Sequence, residues 1–240
     1  MTISRYHHRN RSGEKGNILF YILIAIVAFA ALSFAVTQSS RESASTIDAG
    51  KVDLATTEIL DYVTALRGAV QTMTIQGVKQ NQVCFDQILF SSTYYHAACN
   101  TAKNRVFYNY GGNAPAPHLV AQDALQRSLS GSADYGLWDF PNNIQVKGVG
   151  QDCPSDASCN DLVVLLEPLN DLVCKNVNRK MGVDVPDTIP GNLTPVTTTP
   201  YTGSFFTGSV IDAPNLNGKR TGCFKNNNGH NVFYAVLVGN

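Results

Sequence analysis

The six cysteines of this 240-residue chain, Cys84, Cys99, Cys153, Cys159, Cys174 and Cys223, are the side chains whose number and spacing constrain its chemistry most. An even count reads as a disulfide framework closed in an oxidising compartment. Several connectivities are open. Local spacing favours Cys84 with Cys99 and Cys153 with Cys159, which leaves Cys174 with Cys223, and on the loop-entropy account that longest loop stabilises most. Zinc is the competing use of thiolates. The chain has no C-x-x-C pair, and its histidines (His7, His8, His96, His118 and His230) are scattered, so no metal and no other cofactor is expected.

Oxygen ligands are grouped once, as Asp152, Asp156, Asn160 and Asp161 around the Cys153 to Cys159 loop, without the spacing or the closing bidentate Glu of an EF-hand. The chain contains no G-x-S-x-G elbow, no G-x-x-x-x-G-K-[ST] phosphate loop, no H-E-x-x-H and no complete G-x-G-x-x-G, so no catalytic residue is assigned and the protein reads as a non-enzyme. Neither His96 nor His230 has a nucleophile or carboxylate at a diagnostic spacing. Tyr94, Tyr95, Phe107, Tyr108, Tyr110, Trp138, Phe140, Tyr201, Phe205 and Phe206 form either a stacking platform or core; core is expected, with Trp138 excepted because its surroundings look loop-like. Asn192-Leu193-Thr194 matches an N-glycosylation pattern by chance, with Pro195 directly after it.

The elements that must position these residues lie in a head, residues 78–240, of common domain size. Strands are expected at Phe85 to Phe90, Arg105 to Tyr110, Ile144 to Val149, Leu162 to Leu166 and Asn231 to Val238, the last apolar enough to be central. Helices are expected at Leu119 to Leu129 and Leu169 to Met181. Val185 to Thr202, with four prolines and six threonines, reads as a long irregular loop that is either a contact surface or a spacer.

Ahead of the head, Ile18 to Val36 is an apolar run without a charge, long enough at ~1.5 Å per residue to cross a ~30 Å hydrocarbon core. Arg5, Arg9, Arg11 and Lys15 precede it with only Glu14 opposing them, which places the N-terminus in the cytoplasm and the head across the inner membrane, in the periplasm or at the cell surface. Val52, Ala55, Ile59, Val63, Leu66, Val70 and Met73 then recur at three and four, the stripe of an amphipathic helix over residues 41–77 that Gly77 would stop. The net charge is zero, and residues 17 to 240 hold 14 bases against 17 acids, so no nucleic-acid partner is expected.

A basic leader (1–16) ending in Gly16, an apolar helix (18–36), its amphipathic extension and a disulfide-bearing head resemble the type IV pilin and pseudopilin superfamily over about the first third of the chain. The stretch from Gly16 to Ser39 also resembles a pilin-like subgroup of Gram-negative bacteria with no established activity. The resemblance implies cleavage between Gly16 and Asn17 by a prepilin peptidase, and assembly with other pilin-like subunits. Major pilins place Phe or Met after the cleaved Gly and Glu at the fifth mature position. Here those positions hold Asn17 and Tyr21, which fits a minor subunit placed where no further one is added.

The expectation is an α+β protein with an antiparallel sheet: leader 1–16, long membrane-spanning helix 17–77 and disulfide-stapled head 78–240, acting as a minor pilin or pseudopilin. Two other classes stay open. One is a membrane-anchored binding or adhesion protein that never polymerises, and the other a secreted enzyme released by cleavage after Ser33-Phe34-Ala35.

Overall fold

In a computed structural model of the chain, residues 17–86, 92–132, 135–153, 156–183 and 188–240 are described, with 17–19, 34–48 and 92 described by backbone alone. The leader with Gly16, most of the expected strand Phe85 to Phe90, and the start of the proline-rich loop lie outside them. The elements are two α-helices, α1 (Asn17–Ile75) and α2 (Asp171–Lys180), and six strands, β1 (Leu137–Asp139), β2 (Ile144–Val146), β3 (Leu162–Leu169), β4 (Ser209–Ile211), β5 (Thr221–Lys225) and β6 (Asn231–Val238). The chain divides into two units, Met1–Ala49 and Gly50–Asn240.

In the first unit the described side chains are those of residues 20–33 and of Ala49, all on α1, and all of them are exposed. The membrane-spanning helix expected from Ile18 to Val36 is corrected here: among the described residues no helix is long and apolar enough to cross a membrane. The inner-membrane anchoring, single-span topology and cytoplasmic N-terminus inferred from that run fall with it. The remainder of the fold class, an α+β arrangement with disulfides and an antiparallel sheet, is what the second unit shows.

That second unit is organised by a four-stranded antiparallel sheet of order β1-β3-β6-β5. β3 and β6 alternate between two cores. Leu162, Val164 and Leu166 with Phe233, Ala235 and Leu237 face one, and Val163 and Leu165 with Val232, Tyr234 and Val236 face the other. A strand pair apolar on both faces must be covered twice. On the first face lie α1 and α2. Ala55, Ile59, Val63, Leu66, Val70 and Met73 supply the buried stripe of α1, and Tyr62 and Ala69 widen it. The helix stops where Gly77 takes a φ of +84° and the Val78 N–H reaches back to the Met73 carbonyl at 3.0 Å, a left-handed cap that suits glycine. α2 is capped at its start by the Asn170 side chain, which accepts from the Val173 N–H at 2.8 Å.

On the second face the cover is coil with a small parallel ladder, β2 beside β4. Coil has no ladder to satisfy its backbone, so buried amides do that work. Asn143 accepts from the Thr199 N–H and donates to the Thr197 carbonyl, both at 3.0 Å. Asn192 donates to the Val210 carbonyl and accepts from the Asp212 N–H at 2.7 Å. Being buried and engaged in this way, Asn192 is no glycosylation acceptor.

Several expected elements take other forms. Arg105 to Tyr110 is turn rather than strand, touching Cys84 through one isolated bridge, because the chain doubles back until the Gly112 N–H meets the Arg105 carbonyl at 3.0 Å. Leu119 to Leu129 holds two short 3-10 turns, Gln122–Ala124 and Arg127–Leu129, instead of a helix. There the Gln126 N–H is drawn to the Pro168 carbonyl at 3.0 Å, away from any helical partner. Ile144 to Val149 contributes only the three residues of β2, and β3 runs on to Leu169.

Three disulfides close the head: Cys84 with Cys99, Cys153 with Cys159 and Cys174 with Cys223, at sequence separations of 15, 6 and 49. The last ties α2 to β5, beside Asn178, which accepts from the Cys223 N–H and donates to the Cys223 carbonyl, each at 2.8 Å. At the other margin of β2, the buried Asp161 carboxylate accepts from the Val146 N–H at 2.8 Å and the Asn240 N–H at 3.2 Å. Burial pushes Asp161 up to about 6, with those two hydrogen bonds and Arg220 opposing the rise and Asp152 adding to it.

Two outcomes are expected. Loop entropy gives the Cys174–Cys223 bridge about 4 kcal/mol and the Cys153–Cys159 bridge about 2.5 kcal/mol. Denaturant midpoints should therefore fall further for Cys174→Ala/Cys223→Ala than for Cys153→Ala/Cys159→Ala, and the reverse order would refute the ranking. Because the folded pKa of Asp161 lies above its unfolded value of about 3.9, its contribution to stability is greatest at low pH and is lost as pH rises through about 6. Asp53, Asp156 and Asp212 are shifted the other way, by hydrogen bonds to Lys180, Ser158 and Lys147 respectively, and lose stability as pH falls. Comparison of wild type with Asp161→Asn isolates the first effect: the difference in thermal midpoint should move in favour of the variant between about pH 4 and about pH 7. A flat difference would contradict it.

Candidate functional site

The oxygen-rich loop around Cys153 and Cys159 does not converge on a cation. Asp152 accepts from the Gly148 N–H at 2.8 Å, Asp156 from the Ser158 N–H at 2.9 Å, and Asn160 turns its amide to the carbonyls of Asn142 and Phe206. These side chains fasten backbone. His96 sits within ligand distance of Cys84 and Cys99, the one such His/Cys/Asp/Glu group among the described residues. Those sulfurs are joined to each other, so they offer no thiolate, and the His96 Nε2 lies 3.0 Å from the Val83 carbonyl.

The expected aromatic residues divide. Phe140 stacks on Phe85 at 4.3 Å between ring centres, with Phe107, Tyr94 and Tyr201 around the pair. Tyr110 and Phe206 are exposed, as are Tyr95 and Tyr108. Trp138, excepted above as a loop residue, is corrected. It lies on β1, is 6% exposed and packs its ring against Tyr62 at 4.5 Å and Phe233 at 6.3 Å. Its indole N–H donates to the His118 carbonyl at 3.2 Å.

The two residues that flank Trp138 point the other way and open onto a groove of about 770 Å³ over the outer face of β1 and β3. Register builds its floor. Leu137 lies opposite Glu167, and Asp139 opposite Leu165, so two carboxylates occupy one diagonal of a four-residue block and two leucines the other. Val232 on β6 continues the apolar floor. Tyr94, the 117–119 segment and the coil from Val196 to Pro200 form the walls, and Asn226 and Asn228 close one end. Among the described residues no Lys or Arg lines the groove.

Each carboxylate is oriented by a neutral donor. The Tyr94 hydroxyl donates to Asp139 Oδ1 at 2.8 Å and accepts from the Phe140 N–H at 3.4 Å, while the Asn226 amide approaches Glu167 Oε2 at 3.5 Å. The backbone turn that admits β1 to the sheet is Gly136, with φ +70°, where a Cβ would stand 2.6 Å from Leu125 Cδ1. His118 at the rim faces Glu58 of α1, Nε2 to Oε1 at 3.4 Å. A second recess of about 490 Å³ lies beyond it, along Leu54, Glu58, Asp61 and Tyr62.

Neither Asp139 nor Glu167 was singled out by sequence reasoning. Alternation in Leu137-Trp138-Asp139 and in Leu165-Leu166-Glu167 was the available signal, but the pairing of these two segments is set only by the sheet. The chain matches no family model, no curated protein and no solved structure.

Tyr94→Phe removes one hydroxyl that serves both Asp139 and the end of β1. It should lower unfolding stability by about 1 kcal/mol while leaving the Trp138 fluorescence maximum in place. An unchanged denaturation midpoint would show that the hydroxyl is not holding the carboxylate.

Proposed function

We propose that the protein is a pilin-like structural subunit, a minor pilin or pseudopilin-like component that assembles through its N-terminal helix and performs no catalysis. The supporting observation is the first part of α1, where Phe20, Tyr21, Ile26, Val27, Phe29 and Leu32 are 60–73% exposed. Each large apolar side chain left in water forgoes about 1.5–3 kcal/mol of burial. A continuous apolar surface on one helix is far larger than the scattered exposed residues of a monomer, and it marks an interaction surface. Helices of neighbouring subunits, bearing the same kind of surface, are the natural cover.

In this reading the three disulfides make the head a rigid body carried by the helix, and they are compatible with an oxidising compartment. Cleavage after Gly16 by a prepilin peptidase would make Asn17 the first residue of the assembling helix.

The test is cross-linking of the native protein, together with identification of its N-terminal residue by mass spectrometry. The wild type should give a ladder of higher species and start at Asn17. Ile26→Asp/Phe29→Asp, which leaves the head and its disulfides untouched, should give none. A wild type that stays monomeric under cross-linking would end the assembly reading.

A further inference from the structure

We propose that the heads of two copies meet side by side through unlike charge, the Arg220 side chain of one copy entering the acidic recess beside α1 of the next. The proposal rests on the assembly reading and names the head surfaces that select the neighbour.

The two surfaces lie on opposite margins of the sheet. Glu58 and Asp61, three residues apart and therefore neighbours on the helix surface, open with Leu54, Tyr62, Pro115 and His118 onto the recess of about 490 Å³. That margin is the β1 side, since the His118 carbonyl accepts the Trp138 indole N–H at 3.2 Å. Arg67 stands nine residues after Glu58, about half a turn away around the helix axis. It marks the β5 side by donating to Thr221 Oγ1 and to the Val236 carbonyl, both at 3.0 Å. The order β1-β3-β6-β5 puts the sheet between the two margins.

Each margin carries one sign. Arg220 is exposed near the half-buried Arg67, whose guanidinium is held below its ordinary value by burial and then by Arg220 itself. Among the described residues neither guanidinium has a carboxylate within ion-pair distance, and Asp161 acts on Arg220 from farther off. On the other margin Asp61 is exposed and makes no ion pair among the described residues, while Glu58 faces His118, Oε1 to Nε2 at 3.4 Å.

Arginine matches the recess in both of its parts. Its methylene stem covers Leu54 and Pro115, and its planar fork addresses two acceptors at once. The Tyr62 hydroxyl beside the recess is buried and has no hydrogen-bond partner among the described residues, a polar group that an entering donor would satisfy. Unlike surfaces on opposite sides make a heterologous contact, so each copy meets two neighbours instead of closing a two-fold dimer. Exposed ion pairs add little affinity. Their use here is selection, because a head presented with the wrong side meets like charge.

The test is charge reversal followed by cross-linking of the full-length native protein. Arg220→Asp and Asp61→Arg should each lower the yield of cross-linked species about fivefold, since each puts like charge into the contact. The double variant, with the two charges exchanged, should recover most of that yield. So should an equimolar mixture of the two single variants, in which each supplies the sign that the other lacks; this recovery also shows that both are folded and that the contact is between copies. Single variants that ladder as wild type does, or recovery in neither the double variant nor the mixture, would overturn this pairing while the wild-type ladder left assembly standing. A wild type that stays monomeric would remove the assembly reading and this proposal together.

Discussion

The double-sided burial of β3 and β6 is the constraint on which the head depends. Every residue of Leu162 to Leu166 and of Val232 to Leu237 is buried, so neither face of the central pair can be left to water. One face is covered by helices whose own stripes are apolar. The other is covered by coil, and coil can be laid over a sheet only if its polar backbone finds partners. The groove lies where that second cover ends: Leu165 and Val232 belong to the outer core and also form the floor of the opening.

α2 converts this layered arrangement into a fixed one. From ten residues it sends Asn176 to Thr56 of α1, Cys174 to Cys223 of β5 and Asn178 to the Cys223 backbone. Arg67 of α1 completes the circuit by donating to the Val236 carbonyl and to Thr221 Oγ1, both at 3.0 Å. Helix, second helix and sheet are thereby joined by polar contacts at their margins while leucine, valine and phenylalanine fill the space between them.

The parts of the fold legible in the sequence are those governed by a simple period. The three-and-four stripe of α1, the helix around Cys174 and the final apolar strand follow from side-chain alternation alone. Arg105 to Tyr110 has strand-forming residues, but Gly111 and Gly112 after it let the chain fold back, with the Gly111 α-carbon close against the Arg105 carbonyl. The apolar run near the N-terminus shows a different limit, since its composition suggested a membrane span that no described helix supplies. Least legible was the groove. Asp139 and Glu167 are separated by two loops, the small ladder β2 and a disulfide, and become neighbours only through a register that no local pattern encodes. The coil-fastening amides Asn143 and Asn192 were hidden for the same reason.

Asn178 also has a bearing on how the head behaves among other molecules. A strand at the margin of a sheet presents alternate N–H and carbonyl groups that another chain can adopt as a template. On β5 those groups at Cys223 are taken by Asn178, and those at Lys225 by the Pro190 carbonyl and the Asn192 N–H. This side of the sheet is therefore sealed against runaway strand stacking, and it is sealed by the same side chain that locates α2. A crowded array of such heads could stand shoulder to shoulder along β5 without their sheets fusing.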